Sequence, residues 1–564
     1  MIWEKRGNFH NVTEAIKANS RLKLSDVAFP SVVSPGSIIG IEESAENITQ
    51  ALKDKTKITI VGDYDADGIT AAAILCLMLR YLGTNPDVRL PKRYSEGYGL
   101  SGNIVDEIDE GLVLTVDNGI AAYDEIKKAK TKGLSIIVLD HHLPGEHLPP
   151  ADILVNPHIA PNENGFVDYC GAGLAYMLAC SLIDDSDFLK KMNALAAIGT
   201  VADVVPLVGD NRTIVREGIK YINHKEVPVG LLALLRVSGH ETVDEQIIGF
   251  VIGPLLNAAG RLLDNGAMVS LEVLITEDYD EAEKKAYALA ELNKKRKELL
   301  REGMDRAHEL LKENKEIVQA PICIHDPELV AGIAGLVAGR LSEEFNMPAL
   351  VLTGPDEEGV LKGSGRSCGG IHLKHLLDEA KRYLLSYGGH EGAVGLSLLQ
   401  SEFWDFKKFL EARLADFVPD AGDILLYDLD VGIDEIPDVL RDVLRYAPYG
   451  ECNPRPIIRV DNIILLPKGG STYKTMGEND EHIRLMAKGL SIVAFNGASD
   501  FKALGEVQSL NVVGYLSQST FMGRTRIELE AIDFTGNTNK IGESVLQQNL
   551  LKSCLEFRNV TGGE

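Results

Sequence analysis

The sequence predicts an α/β protein with a parallel-sheet domain, a long connector helix, a smaller α/β domain and a C-terminal β-barrel. Three observations support this prediction. Short apolar runs alternate with helical stretches in the first half of the chain, as in a parallel sheet covered on both faces. A charged stretch rich in helix formers follows, and the pattern then restarts. The last region alternates apolar and polar residues between glycine turns.

Composition indicates a folded protein with no membrane anchor. Hydrophobic residues make up 45% of the 564 residues, and charged residues make up 25%. No apolar run reaches the about 20 residues of a membrane helix, and the N-terminus lacks the apolar segment of a signal peptide. Seven cysteines without a CxxC pair indicate reduced thiols and a cytoplasmic location. The net charge of −26 means that any contact with nucleic acid must be local.

The predicted parallel sheet begins with three apolar runs. They are residues 57–62, 111–116 and 134–139, and an apolar helix is expected over residues 69–82. Each run is followed directly by an aspartate. Because ligands of parallel sheets bind at the carboxyl ends of the strands, this edge is the predicted site.

The later elements follow from composition. Residues 278–314 contain no proline and are dense in Ala, Leu, Glu and Lys, so they predict one helix of roughly 50 Å. The α/β pattern restarts at residues 321–352. Residues 457–535 predict short strands of a small barrel.

The first acidic segment, residues 62–68, reads GDYDADG. Its aspartates, Asp63, Asp65 and Asp67, alternate, so an extended chain places all three on one face. Such carboxylates repel one another unless cations lie between them. An acidic surface loop is the alternative, but this segment ends an apolar strand directly.

Three more segments carry possible ligands. Asp117 lies in TVDNG, Asp140, His141 and His142 lie in LDHH, and Asp203 lies in ADVVP. Taken singly, the aspartates of TVDNG and ADVVP also fit a cap or a turn. Together the four segments offer ligands for two divalent cations about 3.5–4 Å apart. An imidazole beside carboxylates favours Mn²⁺ over Mg²⁺, and Asp140 is placed to orient a histidine.

Several small or basic residues form candidate phosphate contacts. An arginine beside a glycine-rich turn can bind an anion through its guanidinium and the backbone N–H groups. Each of these residues alone also fits a surface arginine or a tight turn. The set comprises Arg93, Asn257, Arg261, Ser364, Arg366, Gly388, Gly389 and His390.

Two further basic regions have open interpretations. Residues 294–297 read KKRK within the predicted connector helix, where they either line a cleft or form a solvated face. In the barrel region, basic residues interleave with aromatic ones such as Tyr473, Arg484 and Phe495. Oligonucleotide-binding folds use this combination, although each aromatic residue also fits the core.

The ordered motifs resemble those of a known family. GDYDADG, VDNG, LDHH and ADVVP are similar to the four motifs of the DHH phosphoesterase superfamily. With GSGRS and GGHEGAVG, the chain most closely resembles the RecJ exonucleases over roughly residues 41–534. The resemblance implies a DHH catalytic domain, a DHH-associated domain and an OB-like barrel.

The resemblance also implies roles for particular residues. Arg93, Arg261, Ser364 and Arg366 would hold the phosphate of the 5′ end, and His142 and His390 would face the scissile phosphate. Some RecJ members have His where this chain has Val61, which implies fewer protein ligands for one cation. The implied metal ligands are Asp63, Asp65, Asp67, Asp117, His141 and Asp203.

These expectations divide the chain into six parts. They are an N-terminal extension (1–40), the DHH catalytic domain (41–277), the connector helix (278–314), the DHH-associated domain (315–420), an OB-like domain with its linker (421–540) and a C-terminal tail (541–564).

The expected function is a two-metal 5′→3′ exonuclease on single-stranded DNA, in DNA repair or recombination. The resemblance supplies the direction. An exonuclease for RNA, or for both polymers, stays open, as does a replication-complex component of the same family. A small-molecule phosphodiesterase fits the length poorly. We expect a monomer that binds single-stranded DNA and does not associate with a membrane. Single-strand-binding or replication and repair proteins are possible partners.

Overall fold

The computed structural model describes residues 1–28, 34–159, 165–313, 320–418, 424–467, 471–477, 479–505, 507–521 and 524–537. The expected C-terminal tail, residues 541–564, lies outside the described residues. The chain divides into two compact units. One is Ser31–Gly422, and the other joins Met1–Pro30 to Asp423–Glu564.

Strands occur in both compact units. They are β1 (Ile2–Lys5), β2 (Ile58–Val61), β3 (Asp87–Arg89), β4 (Leu112–Val116), β5 (Ser135–Leu139), β6 (Ile153–Val155), β7 (Ile322–His325), β8 (Ala349–Thr353), β9 (Val360–Arg366), β10 (Ser386–Gly389), β11 (Ala393–Leu399), β12 (Ile424–Tyr427), β13 (Leu429–Asp430), β14 (Ile458–Ile464), β15 (Tyr473–Met476), β16 (His482–Ala487), β17 (Leu490–Ala494), β18 (Ser509–Phe521) and β19 (Arg524–Asn537).

The helices lie mainly in the larger unit. They are α1 (Val12–Asn19), α2 (Leu24–Ala28), α3 (Ile41–Asp54), α4 (Ala66–Tyr81), α5 (Gly102–Glu107), α6 (Tyr123–Thr131), α7 (Gly171–Leu182), α8 (Ser186–Ala202), α9 (Gly209–Asn223), α10 (Val229–Ser238), α11 (Glu245–Ile247), α12 (Gly253–Leu256), α13 (Ala258–Leu262), α14 (Gly266–Ile275), α15 (Tyr279–Glu313), α16 (Ala331–Phe345), α17 (Leu373–Glu379), α18 (Phe403–Arg413), α19 (Ile436–Tyr446) and α20 (Ala498–Ala503).

The first sheet of the larger unit is parallel, as predicted. Its order is β3-β2-β4-β5-β6, and every pairing in it is parallel. The strands β2 and β4 are buried along their whole length, because helices cover both faces of such a sheet. The register aligns the ends of β2, β4 and β5, so the residues that follow these strands share one edge.

The second sheet has the order β10-β11-β9-β8-β7 and is parallel only between β7 and β8. The helix α15, 35 residues long, connects the two sheets, which confirms the predicted connector. The parts of this unit before and after the connector helix α15 are in close contact at Gly332. A Cβ there would lie 2.0 Å from the carbonyl oxygen of Arg261, so only glycine fits.

The smaller unit contains a seven-stranded sheet of order β13-β14-β18-β19-β17-β16-β15 and confirms the strand-rich C-terminal region. The expectation of short strands is wrong for β18 and β19, which have 13 and 14 residues. They form one long antiparallel pair, because no proline interrupts either ladder. Residues of the N-terminal extension belong to this unit. There β1 pairs with β12 in parallel, and the Trp3 indole donates a 2.8 Å hydrogen bond to Asp533.

No helix among the described residues combines the length and the apolar composition that crossing a bilayer requires.

A tight packing contact yields a test of this fold. Gly199 of α8 faces α7 and α4, and a Cβ on it would lie 2.5 Å from both the Ala172 Cβ and an Asp67 oxygen. In an exposed helix, Gly→Ala stabilises by about 0.5–1 kcal/mol. Here we expect the opposite sign, because overpacking costs about 1–3 kcal/mol. The measurement is the free energy of unfolding of Gly199→Ala in urea.

The matched control is Gly145→Ala, because a Cβ at Gly145 meets no atom within 4 Å. Its stability should equal that of the unmodified chain. A Gly199→Ala protein as stable as the control contradicts the packing described for α8.

Candidate active site

Acidic side chains meet at the shared edge of β2, β4 and β5. Asp63 and Asp65 follow β2, and Asp117 follows β4. His141 follows β5, and Asp203 ends α8. Their ligand atoms form three overlapping groups, within each of which all atoms lie no more than 4.8 Å apart. The groups are Asp63, Asp65 and Asp117; Asp67, His141 and Asp203; and Asp117, Asp140, His141 and His142.

Helix N-termini hold two of the carboxylates. Asp65 caps α4 and accepts hydrogen bonds of 3.0 and 3.1 Å from the backbone N–H groups of Asp67 and Gly68. Asp67 accepts bonds of 2.6 and 2.9 Å from the N–H groups of Gly171 and Ala172, which begin α7. The unpaired N–H groups and the dipole of a helix N-terminus stabilise negative charge. Both side chains are therefore fixed without a protein cation.

Asp117 occupies the centre of the cluster. It has a φ of 62°, which non-glycine residues rarely adopt, and is 2% exposed. Its Oδ1 lies 3.1 Å from Nε2 of His141, which in turn lies 3.6 Å from an oxygen of Asp203. The hydroxyl of Tyr98 donates a 2.9 Å bond to the carbonyl oxygen of Asp117. A strained backbone held by several contacts is typical of functional sites.

Asp140 orients His142. It accepts backbone bonds from Ile120, His141 and His142, and its Oδ1 lies 2.8 Å from Nδ1 of His142. Burial alone would raise the pKa of Asp140, but these bonds outweigh it and lower the pKa. Burial would lower the pKa of His142, yet the bond to Asp140 raises it to about 9. Without a bound cation, this pKa favours the protonated imidazole at neutral pH.

The electrostatics of the cluster favour cation binding. Burial, followed by repulsion from neighbouring carboxylates, raises the pKa of Asp63, Asp65 and Asp117. The same causes raise the pKa of Asp203 to about 9, and burial lowers the pKa of His141. Divalent cations reverse these shifts, because a bound cation is the largest local charge in such a site.

The donor set fits two ions. The group of Asp63, Asp65 and Asp117 supplies three carboxylates. The group of Asp67, His141 and Asp203 supplies two carboxylates and an imidazole, and Asp117 lies next to both groups. This mixture of oxygen and imidazole ligands suits Mn²⁺ or Mg²⁺. Val61 lies fully buried in an apolar cluster with Ile104 and Val113, so its position adds no ligand.

A basic loop lies beside the acidic cluster. The guanidinium of Arg93 stacks over the ring of Tyr64, 4.6 Å from its centroid, and Tyr64 stands between Asp63 and Asp65 in the sequence. Asp264 fixes this loop by accepting bonds from the backbone N–H groups of Tyr94 and Ser95 and from the Ser95 hydroxyl.

Two more predicted arginines join this basic group. The Nη1 of Arg261 donates a 3.3 Å bond to the carbonyl oxygen of Gly332. Arg366 lies at the end of β9, two residues beyond Ser364, and both lie against Gly335 of α16. Burial, and then the charges of Arg93, Arg296 and Arg366, lower the pKa of Arg261 to about 9. Within the described parts of the chain, these arginines pair with no carboxylate, so the group is a candidate anion site.

The remaining predicted residues occupy two places. Asn257, between α12 and α13, lines a cavity of about 120 Å³ together with Arg261. Gly388 and Gly389 end β10, and His390 follows in an exposed hairpin, where its Nδ1 accepts a bond from the Gly392 N–H. The register pairs Ala393 with Arg366, which places this hairpin at the same end of the sheet as Arg366. Among the described residues, no contact joins His390 to the acidic cluster.

Sequence reasoning missed three features of the site. Tyr98 lies within the glycine-rich turn, but nothing in the sequence links its hydroxyl to Asp117 or His142. The N–H groups that hold Asp67 lie 104 and 105 residues away. The burial of Arg296 is the third feature, because the basic run at residues 294–297 does not show which of its side chains faces the core.

Family models match three parts of the chain. They are the DHH family N-terminal domain at residues 57–200, the DHHA1 domain at residues 315–416 and the RecJ OB domain at residues 427–533. The manganese-bound RecJ of Thermus thermophilus has a similar structure. Its TM-score is 0.74 at 30% identity, and the match covers 92% of this chain and 74% of that one.

Curated relatives agree with the family models. The chain is similar to the single-stranded-DNA-specific exonuclease RecJ of Haemophilus influenzae, at 30% identity over 91% of each chain. It is 34% identical to the RecJ of Escherichia coli, over 74% of this chain and 77% of that protein. The match to the RecJ of Bacillus subtilis, at 32% identity, covers 88% of this chain but 63% of the relative. The motifs, the fold and these identities together place the chain in the RecJ family of DHH proteins.

Proposed function

We propose that this protein is a 5′→3′ exonuclease that releases 5′-mononucleotides from single-stranded DNA during repair or recombination. One observation carries the proposal: a cluster of buried carboxylates lies in the same compact unit as a group of arginines that, among the described residues, pair with no carboxylate. A nucleic-acid end bears phosphates, which the arginines would bind directly and which the carboxylates would bind through cations. The relatives named as single-stranded-DNA-specific exonucleases support the polymer and the reaction.

The acidic cluster would hold the catalytic cations. Two divalent ions bound there supply a nucleophilic hydroxide at neutral pH and neutralise charge that develops on the phosphate. Asp65 and Asp67 stay in position because helix N-termini fix them. Asp117 would contribute to both ion sites, since it lies beside each group of ligands.

The surrounding residues would position the strand. Arg93, Arg261 and Arg366, with Ser364, would hold the terminal phosphate, and this contact sets the 5′→3′ direction. Asp140 fixes the His142 ring, whose half-exposed imidazole would donate a hydrogen bond to an oxygen of the scissile phosphate.

The other parts of the molecule would extend this contact. Asn257, Gly388, Gly389 and His390 complete the proposed substrate surface. The smaller unit would also bind the single strand. Tyr473 and Arg484 lie on its sheet, where Arg484 pairs with Glu528 at 3.2 Å, and the exposed Phe495 follows β17. The proposal includes the division of the chain into six parts. The protein would act as a monomer, and its partners would be single-strand-binding or replication and repair proteins.

End-labelled strands test the reaction. A 5′ label should leave at once as mononucleotide, while a 3′-labelled strand shortens stepwise, with Mn²⁺ or Mg²⁺ and not with EDTA. Asp117→Ala should reduce both signals by at least about a hundredfold, because Asp117 lies next to both groups of residues that would hold the cations. DNA and RNA strands of one sequence, run in parallel, measure the polymer preference.

Asp124→Ala is the matched control, because Asp124 is an exposed carboxylate of α6 in the same unit. It should cleave at the rate of the unmodified protein. Stepwise loss of a 5′-labelled strand from its 3′ end overturns the direction, and equal activity of Asp117→Ala overturns the site.

The raised carboxyl pKa values predict the pH dependence of stability without metal. A carboxyl whose pKa is raised by folding holds its proton more tightly in the folded state. Its contribution to stability is lost as pH rises from about 4, the unfolded pKa. For Asp203 this loss extends to the folded pKa, about 9. In EDTA, the thermal midpoint should therefore fall between about pH 5 and pH 9, and saturating Mn²⁺ should remove most of this fall.

Asp203→Asn separates this effect from the general negative charge of the chain. In EDTA the variant should show a shallower fall, because it lacks one of the titrating carboxyls. A midpoint that rises with pH in EDTA, or one that Mn²⁺ leaves unchanged, contradicts the described electrostatics.

A further inference from the structure

One arginine of the connector helix is buried where its neighbours are not. Lys294, Lys295 and Lys297 of α15 are exposed, whereas Arg296 is only 8% exposed. The helix buries one stripe, and Leu289 and Gly303, seven residues before and after Arg296, both belong to it. Residues seven apart lie on the same face of a helix. Arg296 therefore occupies a core position of this helix, where an apolar residue is expected.

The burial of Arg296 is not compensated by the protein. Its Nε donates a 3.0 Å bond to the side-chain oxygen of Asn293. In the part of the chain that the structure describes, it pairs with no carboxylate. Burial, and then the charge of Arg340, lower its pKa. A buried charge without a counter-charge is costly, so it indicates a missing anion.

A cavity lies next to this guanidinium. It has a volume of about 120 Å³, and Arg261, Arg296 and Asn257 supply its polar lining. Room for it comes from small residues, because Gly249 and Gly253 form part of the wall. The wall near Gly249 is a π-helical turn, a feature frequent at functional sites.

The cavity lies near both charged groups of the site. Ala202 lines it and directly precedes Asp203 of the acidic cluster. Leu336 lines it from α16, next to Gly335, which lies against Ser364 and Arg366. An anion in this cavity would therefore lie between the cation ligands and the arginines of the anion site.

We propose that Arg296 is a specificity-determining residue that binds the terminal phosphate monoester of the strand in this cavity. The proposal rests on the proposed function and adds a residue to it. A phosphate monoester carries more charge than an internal phosphodiester, and a 5′-hydroxyl end carries none. A desolvated guanidinium therefore distinguishes a phosphorylated end from a hydroxyl end.

The test compares two strands of one DNA sequence, one with a 5′-phosphate and one with a 5′-hydroxyl. For Arg296→Gln, the ratio of kcat/KM for phosphate over hydroxyl ends should fall by about 10- to 100-fold, as expected for one charged hydrogen bond. Arg296→Lys should keep part of this ratio. The control is Lys297→Gln, an exposed neighbour on the same helix, which should keep all of it.

Thermal unfolding in EDTA gives a readout that does not depend on activity. Inorganic phosphate should raise the midpoint of the unmodified protein, and this rise should be smaller in Arg296→Gln. Without phosphate, Arg296→Gln should be at least as stable as the unmodified protein, because the substitution removes an uncompensated charge. A merely structural arginine predicts the opposite: a lower midpoint and an equal loss of activity on both ends.

The outcomes separate the two proposals. An unchanged end preference in Arg296→Gln, or an equal loss on both ends, overturns the role of Arg296. If the unmodified protein cleaves neither strand, the exonuclease proposal fails. The phosphate-induced rise then decides alone: its loss in Arg296→Gln supports the anion site, and its persistence overturns it.

Discussion

The crowding of six carboxylates at one edge of a parallel sheet is the constraint on which the rest of this structure depends. Asp63, Asp67 and Asp117 are at most 2% exposed, so water does not screen their repulsion. Backbone N–H groups at the starts of α4 and α7 compensate part of the charge. Protons or cations neutralise the rest, and hydrogen bonds of the fold hold Asp65 and Asp67 in place without a cation. Such preorganisation lets a site stabilise charge without reorganising during the reaction.

Segregation of charge explains how a chain with a net charge of −26 can bind a polyanion. The arginines that matter are few, and they are held close to the acidic cluster rather than spread over a basic surface. Tyr64 links the two groups, because it lies between two aspartates and carries Arg93 on its ring. Asp264 fixes the same loop from the other side. A strand end would meet positive charge at its terminal phosphate and cations at the bond to be cleaved.

The sequence predicted the features of the fold that a local residue pattern determines. An aspartate directly after an apolar run marked the edge of the sheet, because parallel strands end together. It did not predict contacts between distant segments. The N–H groups that hold Asp67 come from Gly171 and Ala172, and no local signal links them to it. Likewise β1 pairs with β12 across more than four hundred residues, so the first residues were assigned to an extension. Pairing of this kind follows from tertiary packing alone.

The helical periodicity of the connector helix could have predicted the burial of Arg296. The run of four basic residues suggested a cleft or a solvated face, and the structure contains both, since one residue points inward and three do not. Aligning residues 289, 296 and 303 of the helix shows that only Arg296 shares the face of a leucine and a glycine. A charge on that face conflicts with the local rule for helices. Natural proteins retain such conflicts mainly where function requires them, so the position of Arg296 supports the proposal that it binds an anion.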